Sequence, residues 1–164
     1  MTIHYSSMSS PVGELTFTGS EAGLTGVWFD TDRHQHDRSD WQRDDALFTE
    51  ARRQLEEYFA GTRQVFDLRL AAVGTPFQQQ VWTALCTIPF GETRSYGEQA
   101  RSIHNEKAVR AVGLANGKNP IGIIVPCHRV IGANGALTGY AGGLTRKQWL
   151  LAHEAKGRSK GLFG

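Results

Sequence analysis

"SYGEQARSIHNEKAVRAVGLAN" (residues 95–116) decides the fold of the C-terminal half of this chain. Ser95 and Glu98 form the pattern of a capping box, which predicts the start of a short helix. A second helix is predicted from Asn105 to the stop at Gly117. The few residues between the two helices give the spacing of a helix-turn-helix, but this spacing alone is equally typical of an ordinary antiparallel helix pair.

The second of these helices carries a basic face next to small residues. Lys107, Arg110 and Gly113 share one face, whereas Val109 and Val112 lean toward another. Small side chains let a nucleic-acid backbone approach closely, and one long basic side chain can then reach into it. The pattern indicates a nucleic-acid interface, with a solvated charged face as the alternative.

Two more helices are expected around this pair. Thr75, Pro76 and Gln78 form a helix start, and Pro89 closes that helix. Thr145 and Gln148 are expected to begin a last helix through "RKQWLLAHEAK". The buried face of the first of these two helices is predicted to contain Phe77, Val81, Trp82 and Leu85.

The N-terminal half has the pattern of a small sheet with one helix. Residues 13–19 and 24–30 alternate as antiparallel strands, and 64–70 is predicted as a further strand. Residues 46–61 have helical spacing with Gly61 as the stop, and the polar stretch 30–45 is expected to be a surface loop. The apolar positions of this helix are Leu47, Phe48, Ala51, Leu55, Tyr58 and Phe59.

These elements predict an α+β protein of two domains. An N-terminal α/β support domain covers residues 1–73, and a mostly helical domain covers 74–164. Residues 1–75 carry 7 basic and 12 acidic side chains, whereas residues 76–164 carry 11 and 4. The basic half is therefore the part expected to meet a polyanion.

Composition narrows the cellular setting. No apolar run reaches the ~20 residues that span a bilayer, and the N-terminus lacks the basic and apolar regions of a signal peptide. We expect a cytoplasmic protein with no membrane contact. Its two cysteines, Cys86 and Cys127, are then expected to be thiols, with Cys86 interpreted as a small buried hydrophobe.

"PCHRV" (126–130) is the strongest chemical motif. A thiol with a pKa near 8.5 needs a base or a positive field to be a useful nucleophile at neutral pH. His128 follows Cys127 directly, and "HE" at His153 and Glu154 could complete a relay in which Glu154 orients His128. Pro126 restricts the turn that exposes the sulfur.

Metal binding is weakly indicated. "HQH" (34–36) could hold a metal ion, but it lies in a polar stretch that is expected to be a surface loop. We expect neither a metal nor an organic cofactor.

The C-terminal half resembles the O6-alkylguanine-DNA alkyltransferases, the methylated-DNA–protein-cysteine methyltransferases. The resemblance rests on "NPIGIIVPCHRVIG" (119–132) and "GALTGYAGGLTRKQWLLAHE" (135–154), preceded in order by "IPFGETRSYGEQA" (88–100) and "AVRAVGLANGKNP" (108–120). It implies a ribonuclease-H-like N-terminal domain and a winged helix-turn-helix catalytic domain. Some relatives have an N-terminal zinc site with a cysteine, and this chain has no cysteine before Cys86.

The resemblance also implies a role for each site residue. Cys127 would accept the alkyl group from O6 of guanine, or O4 of thymine, in a single-use reaction, with His128 and Glu154 as its relay and Asn119 bracing its turn. Arg110 would enter the duplex and Tyr96 would help to flip the nucleotide. The minor groove would be approached by Lys107, Ala108, Ala111 and Gly113, and the base pocket would be lined by Val130, Tyr140, Ala141 and Gly142.

Double-stranded DNA with alkylated bases is thus the expected partner, and we expect a monomer with no obligate protein partner. Two other functions stay open at this point. One is a non-catalytic protein that recognises alkylated DNA, and such relatives lack the cysteine. The other is a cysteine hydrolase with a Cys–His–Glu relay, which gives no reason for the helix that carries Arg110.

Overall fold

The computed structural model describes residues 3–30 and 38–163, with side chains through residue 158. Contacts divide the chain into two compact units. The first contains Met1–Val73 and Pro120–Gly122, and the second contains Gly74–Asn119 and Ile123–Gly164. None of the described helices is long and apolar enough to cross a membrane.

The first unit contains a four-stranded sheet of order β3-β2-β1-β4. Its strands are β1 (Ile3–Met8), β2 (Leu15–Ser20), β3 (Gly23–Phe29) and β4 (Trp41–Arg43). The three long strands form an antiparallel meander in which Phe17 on the central strand faces Ser6 on one side and Val27 on the other. β4 pairs with β1 in parallel.

The structure of this sheet differs from the sequence prediction in three places. β1, with its serine-rich sequence, was not predicted, and the segment expected to be a loop contains β4. The predicted strand at 64–70 forms only an isolated parallel bridge between Leu24 and Leu70. The apolar side chains of this segment are poorly buried, with Val65 75% and Leu70 37% exposed.

The helix of the first unit is α1 (Thr49–Ala60), which follows a short 3-10 helix (Asp45–Phe48). Gly61 ends it in the left-handed conformation with φ 84°, as the sequence predicts. The helix buries Ala51, Leu55 and Tyr58, whereas Leu47 and Phe59 are half-buried. Its buried Gln54 side chain donates to Asp67 O (3.0 Å) and accepts from Asp67 N (2.8 Å), which fixes the segment after the helix.

The second unit is mostly helical. Its elements are α2 (Pro76–Leu85), β5 (Arg94–Ser95), α3 (Tyr96–Ser102), α4 (Val109–Gly117), β6 (Val130–Ile131) and α5 (Leu144–Phe163). β5 and β6 pair in parallel, and the 3-10 helix Glu106–Ala108 leads into α4.

Both predicted capping boxes of this unit are present. Thr75 accepts from the backbone of Gln78 at the start of α2, and Ser95 accepts from the backbone of Glu98 at the start of α3. Two boundaries differ from the prediction. α2 ends at Leu85 and not at Pro89, and α5 begins at Leu144, so Thr145 is already inside the helix.

α3 and α4 are held together by buried polar contacts. The side-chain amides of Gln99 and Asn116 exchange two hydrogen bonds of 2.9 and 2.8 Å. Trp82 on α2 donates its indole N–H to Ala115 O (2.9 Å), and Val112 is fully buried. These contacts fix which face of α4 points outward.

Candidate active site and nucleic-acid interface

Cys127 begins a 3-10 helix (Cys127–Arg129) that lies between Pro126 and β6. Its side chain is half-buried, and its backbone N–H donates to Val125 O (2.9 Å). Ile123, buried just before this turn, has φ 70°. This is the left-handed region, where a β-branched residue is strained by about 1–3 kcal/mol, so the surrounding fold must enforce the turn.

Asn119 ties this turn to the end of α4. Its Nδ2 donates to Val125 O (2.8 Å) and to Cys127 Sγ (3.3 Å). One amide therefore fixes the backbone before the cysteine and also contacts the sulfur. A hydrogen bond to sulfur favours its anionic form, because the donor stabilises negative charge.

His128 and Glu154 form a buried pair. His128 Nε2 lies 2.7 Å from Glu154 Oε2, and the two side chains are 0% and 1% exposed. The other ring nitrogen, Nδ1, is also buried and has no hydrogen-bond partner among the described residues. This geometry predicts that Nε2 carries the proton and donates it to Glu154, which leaves Nδ1 as the acceptor.

Arg129 completes this pair, and sequence reasoning missed it. Its Nε lies 2.8 Å from Glu154 Oε1 and one terminal nitrogen lies 3.0 Å from Oε2, so the guanidinium grips the carboxylate at both oxygens. The other terminal nitrogen donates to Ile88 O (2.7 Å). The backbone N–H of Gly91 donates to Glu154 Oε1 at 3.3 Å.

These contacts determine the charges of the pair. Burial opposes ionisation of Glu154, but the hydrogen bonds from His128 and Arg129 and the charge of the Arg129 guanidinium outweigh it and hold the pKa of Glu154 well below 4.5. Burial lowers the pKa of His128 below 6.5, although Glu154 acts in the opposite direction. At neutral pH the carboxylate is therefore ionised and the imidazole is neutral, which is the state that can accept a proton.

Lys147 is a second residue that sequence reasoning missed. It lies on α5 and is fully buried, and its Nζ donates to Val130 O (2.6 Å) and Thr138 O (3.2 Å). Burial lowers its pKa, and the nearby Cys127 raises it. A lysine ammonium in this position favours a thiolate at Cys127 by its charge.

The structure differs from the sequence expectations for His153 and Cys86. His153 stacks on Trp149 at a ring-centroid distance of 4.9 Å, and Glu154 is the residue of "HE" that contacts His128. Cys86 follows α2 and is exposed, which contradicts its interpretation as a buried hydrophobe. It is the C-cap residue of α2, whose buried side chains are Val81, Trp82 and Leu85.

The expected pocket residues lie in β6 and in the segment before α5. Val130 and Gly142 are buried, Tyr140 is half-buried and Ala141 is exposed. Near them, Tyr96 Oη lies 2.7 Å from Thr138 Oγ1.

The outer face of α4 and the turn before it carries the expected DNA-binding residues. Lys107, Arg110 and Ala111 are exposed, whereas Ala108 and Gly113 are half-buried. A Cβ on Gly113 would lie 3.8 Å from the Tyr96 ring, an ordinary van der Waals contact, so a methyl group fits here within the protein. Apolar Val109 and Leu114, 40% and 68% exposed, also lie on this helix.

Within residues 3–30 and 38–163 no group of three or more His, Cys, Asp or Glu side chains could hold a metal ion. The histidines of "HQH" (34–36) fall outside the described residues.

Comparisons with known proteins agree for both halves of the chain. Residues 76–156 match the 6-O-methylguanine DNA methyltransferase DNA binding domain, and residues 3–72 match the ribonuclease-like domain of the same proteins. The methylated-DNA–protein-cysteine methyltransferase of Methanosarcina acetivorans is 54% identical, covering 93% of this chain and 98% of that protein. The one from Mycobacterium bovis is also 54% identical, with coverages of 93% and 92%.

Solved structures show the same fold. The Mycobacterium tuberculosis OGT in complex with DNA superposes with a TM-score of 0.90 and 52% identity over 94% of each chain. The Mycobacterium tuberculosis O6-methylguanine methyltransferase gives a TM-score of 0.87 at 52% identity, covering 94% of this chain and 93% of that one. The chain therefore belongs to the 6-O-methylguanine DNA methyltransferase family.

Proposed function

We propose that this protein repairs alkylated DNA by transferring an alkyl group from O6 of guanine, and also from O4 of thymine, to Sγ of Cys127. Each molecule acts once, because the thioether product has no easy route back to a thiolate. The observation that carries the proposal is the buried His128–Glu154 pair, with 2.7 Å between Nε2 and Oε2, directly after a half-buried cysteine.

The relay provides the base that the thiol needs. His128 Nδ1 takes the proton of Cys127, directly or through one water molecule, while Nε2 stays bonded to Glu154. The sulfur then attacks the alkyl carbon, so the S–C bond forms and the C–O6 bond breaks. The electron pair of the broken bond stays on guanine, which regains one proton, so the net change moves one proton from thiol to base.

Nucleotide flipping makes this attack geometrically feasible. An alkylated base in the stack cannot reach the sulfur, and extrusion costs roughly a few kcal/mol. We assign Arg110 to the space that the base leaves, and Tyr96 to the displacement of the target phosphate, with its hydroxyl available to the flipped base. Lys107 and the small residues Ala108, Ala111 and Gly113 would follow the minor groove.

The flipped base would enter a pocket lined by Val130, Tyr140, Ala141 and Gly142, with Gly142 leaving room for the alkyl group. Asn119 would keep the turn that carries Cys127 in place. The domain of residues 1–73 would support the catalytic domain of residues 74–164. We propose that the protein works as a monomer in the cytoplasm on double-stranded DNA, without a metal or organic cofactor.

A non-catalytic reader of alkylated DNA is the alternative function. It would need the exposed face of α4 but not a cysteine with a relay behind it. The Asn119–Cys127 contact and the His128–Glu154 pair favour the transferase, because both contacts act on the sulfur or on its base.

Intact mass after incubation with a duplex oligonucleotide containing O6-methylguanine tests the proposal. The expected result is a single gain of one CH2 per protein, mapped to Cys127. The matched control is Cys86→Ser, which removes the exposed thiol and should still react, whereas Cys127→Ser should not. Unchanged mass with tight lesion binding would favour the non-catalytic reader, and repeated turnover of an ester would favour a hydrolase.

A second measurement tests the flipping role. Arg110→Ala should slow repair of duplex DNA far more than reaction with free O6-methylguanine base, since only the duplex requires extrusion. Equal losses on both substrates would contradict this assignment of Arg110.

A further inference from the structure

Thr138 connects Tyr96 to the wall of the proposed base pocket. Its hydroxyl lies 2.7 Å from Tyr96 Oη, and both side chains are half-buried. Its carbonyl accepts from Lys147 Nζ (3.2 Å), which also donates to Val130 O (2.6 Å). One residue therefore links the first turn of α3, through Lys147, to β6 just after the reactive turn.

We infer that Thr138 is a positioning residue that holds the Tyr96 hydroxyl where the flipped base is received. The inference rests on the proposed function, because it assigns Thr138 a part in delivering that base. Thr138 does not touch the reacting atoms in this scheme and acts through Tyr96.

The chemistry of the two hydroxyls favours this arrangement. Each can donate and accept, so either can supply the proton of their shared hydrogen bond. When Thr138 donates to Tyr96 Oη, the phenol proton remains available for a ring nitrogen or oxygen of the base. A donor aimed at guanine stabilises the negative charge that develops as guanine leaves, because it is already oriented before the reaction.

The position of Thr138 in the chain explains why such a contact is needed. It lies in a segment without helix or strand that contains Gly132, Gly135, Gly139 and Gly142. Glycines give the backbone wide freedom in the unfolded chain, so contacts from this segment to α3 and α5 are needed to fix it. Thr138 contacts α3 through its side chain and α5 through its carbonyl.

Thr138→Val tests the inference, because it keeps the shape of the side chain and the backbone carbonyl and removes only the hydroxyl. We expect the rate of alkyl transfer at saturating O6-methylguanine duplex to fall about fivefold, which corresponds to about 1 kcal/mol for one hydrogen bond. The Kd for the duplex, measured with the Cys127→Ser background, should not change. Thr138→Ser should restore the rate, and Thr138→Ala should show the same loss as valine.

A double-mutant cycle with Tyr96→Phe separates positioning from a purely structural effect. In the Tyr96→Phe background the hydroxyl partner is absent, so Thr138→Val should cause no further loss of rate. Thr93→Val, an exposed threonine in the same unit, is the matched control and should react like the wild type.

The outcomes are distinct. A wild-type protein that gains no alkyl group contradicts the proposed function itself. A reactive wild type with an equally fast Thr138→Val variant overturns only the role of Thr138. An undiminished fivefold loss in the Tyr96→Phe background would also overturn it, since the effect would not pass through Tyr96.

Discussion

Glu154 Oε2 lies 2.7 Å from His128 Nε2 in a place where neither side chain is more than 1% exposed. The pKa values of both groups lie below their ordinary values of 4.5 and 6.5. Below those ordinary values the unfolded chain binds more protons than the folded one, so protonation favours unfolding. The pair therefore stabilises the fold fully at neutral pH and loses that contribution in acid.

We predict that the free energy of unfolding is nearly constant from pH 8 to 6.5 as far as this pair is concerned, and falls as the pH drops below 6.5 and again below 4.5. Urea denaturation from pH 8 to 4 measures this. His128→Gln should remove the part of the fall that begins near pH 6.5, whereas His104→Asn, at an exposed position of the same unit, should leave it in place. An unaltered pH profile in His128→Gln would be inconsistent with a buried neutral imidazole.

Arg129 should be essential to stability because it neutralises a buried carboxylate. Arg129→Met leaves Glu154 without its bidentate partner, and the loss of one member of a buried ion pair costs about 3–5 kcal/mol. Urea denaturation at pH 7 checks this. The double variant Arg129→Met/Glu154→Met should be more stable than the single one, since no buried charge is then left over; a double variant as unstable as the sum of the two singles would contradict this pairing.

Substitution of Gly113 by alanine should affect stability and DNA binding in opposite directions. Gly113→Ala should raise the free energy of unfolding by about 0.5–1 kcal/mol, as alanine does within a helix. It should also weaken duplex binding about tenfold, because a methyl group at a close contact costs about 1–3 kcal/mol. Gly117→Ala, where an added Cβ meets nothing within 4 Å, should stabilise without weakening binding; equal affinity of both variants, measured by fluorescence anisotropy, would argue against close approach at Gly113.

Lys147 should matter for the chemical step rather than for DNA affinity. Lys147→Met removes the hydrogen bonds to Val130 O and Thr138 O, and bonds from a charged donor contribute about 1.5–3 kcal/mol. We expect alkyl transfer to slow about tenfold or more at saturating duplex. Lys156→Met, an exposed lysine of the same helix, provides the control; single-turnover rates that match between the two variants would refute this role.

The helix starts of the second unit could be predicted from sequence because they depend on residues three positions apart. Thr75 with Gln78, and Ser95 with Glu98, make their contacts inside a single turn. The strand predicted at 64–70 failed for the opposite reason. Pairing along a sheet edge depends on distant neighbours such as Leu24, and β-propensity alone does not supply them.

In the candidate site, too, local contacts could be predicted from the sequence and contacts between distant residues could not. The cysteine turn has a recognisable local motif, but Arg129 and Glu154 are 25 positions apart and meet only after folding. A signal was nevertheless present in the spacing of Lys147, Leu150 and Glu154, which puts two charges on one helix face with a leucine. All three residues are buried. Because a buried charge needs a partner, the charges on this helix face indicated partners elsewhere in the chain. Arg129, in the apolar run around Cys127, is one of these partners.

The unfavourable backbone of Ile123 ties reactivity to completion of folding. No short peptide with the residues around Cys127 would adopt this turn by itself, because the branched side chain disfavours φ 70° and only the assembled core compensates for it. Nascent or partly unfolded chains would thus carry a thiol of ordinary reactivity. Electrophiles in the cell would meet an activated sulfur only in fully folded molecules. Under the proposed single-use reaction, this dependence on folding would keep the thiol from reacting before the fold is complete.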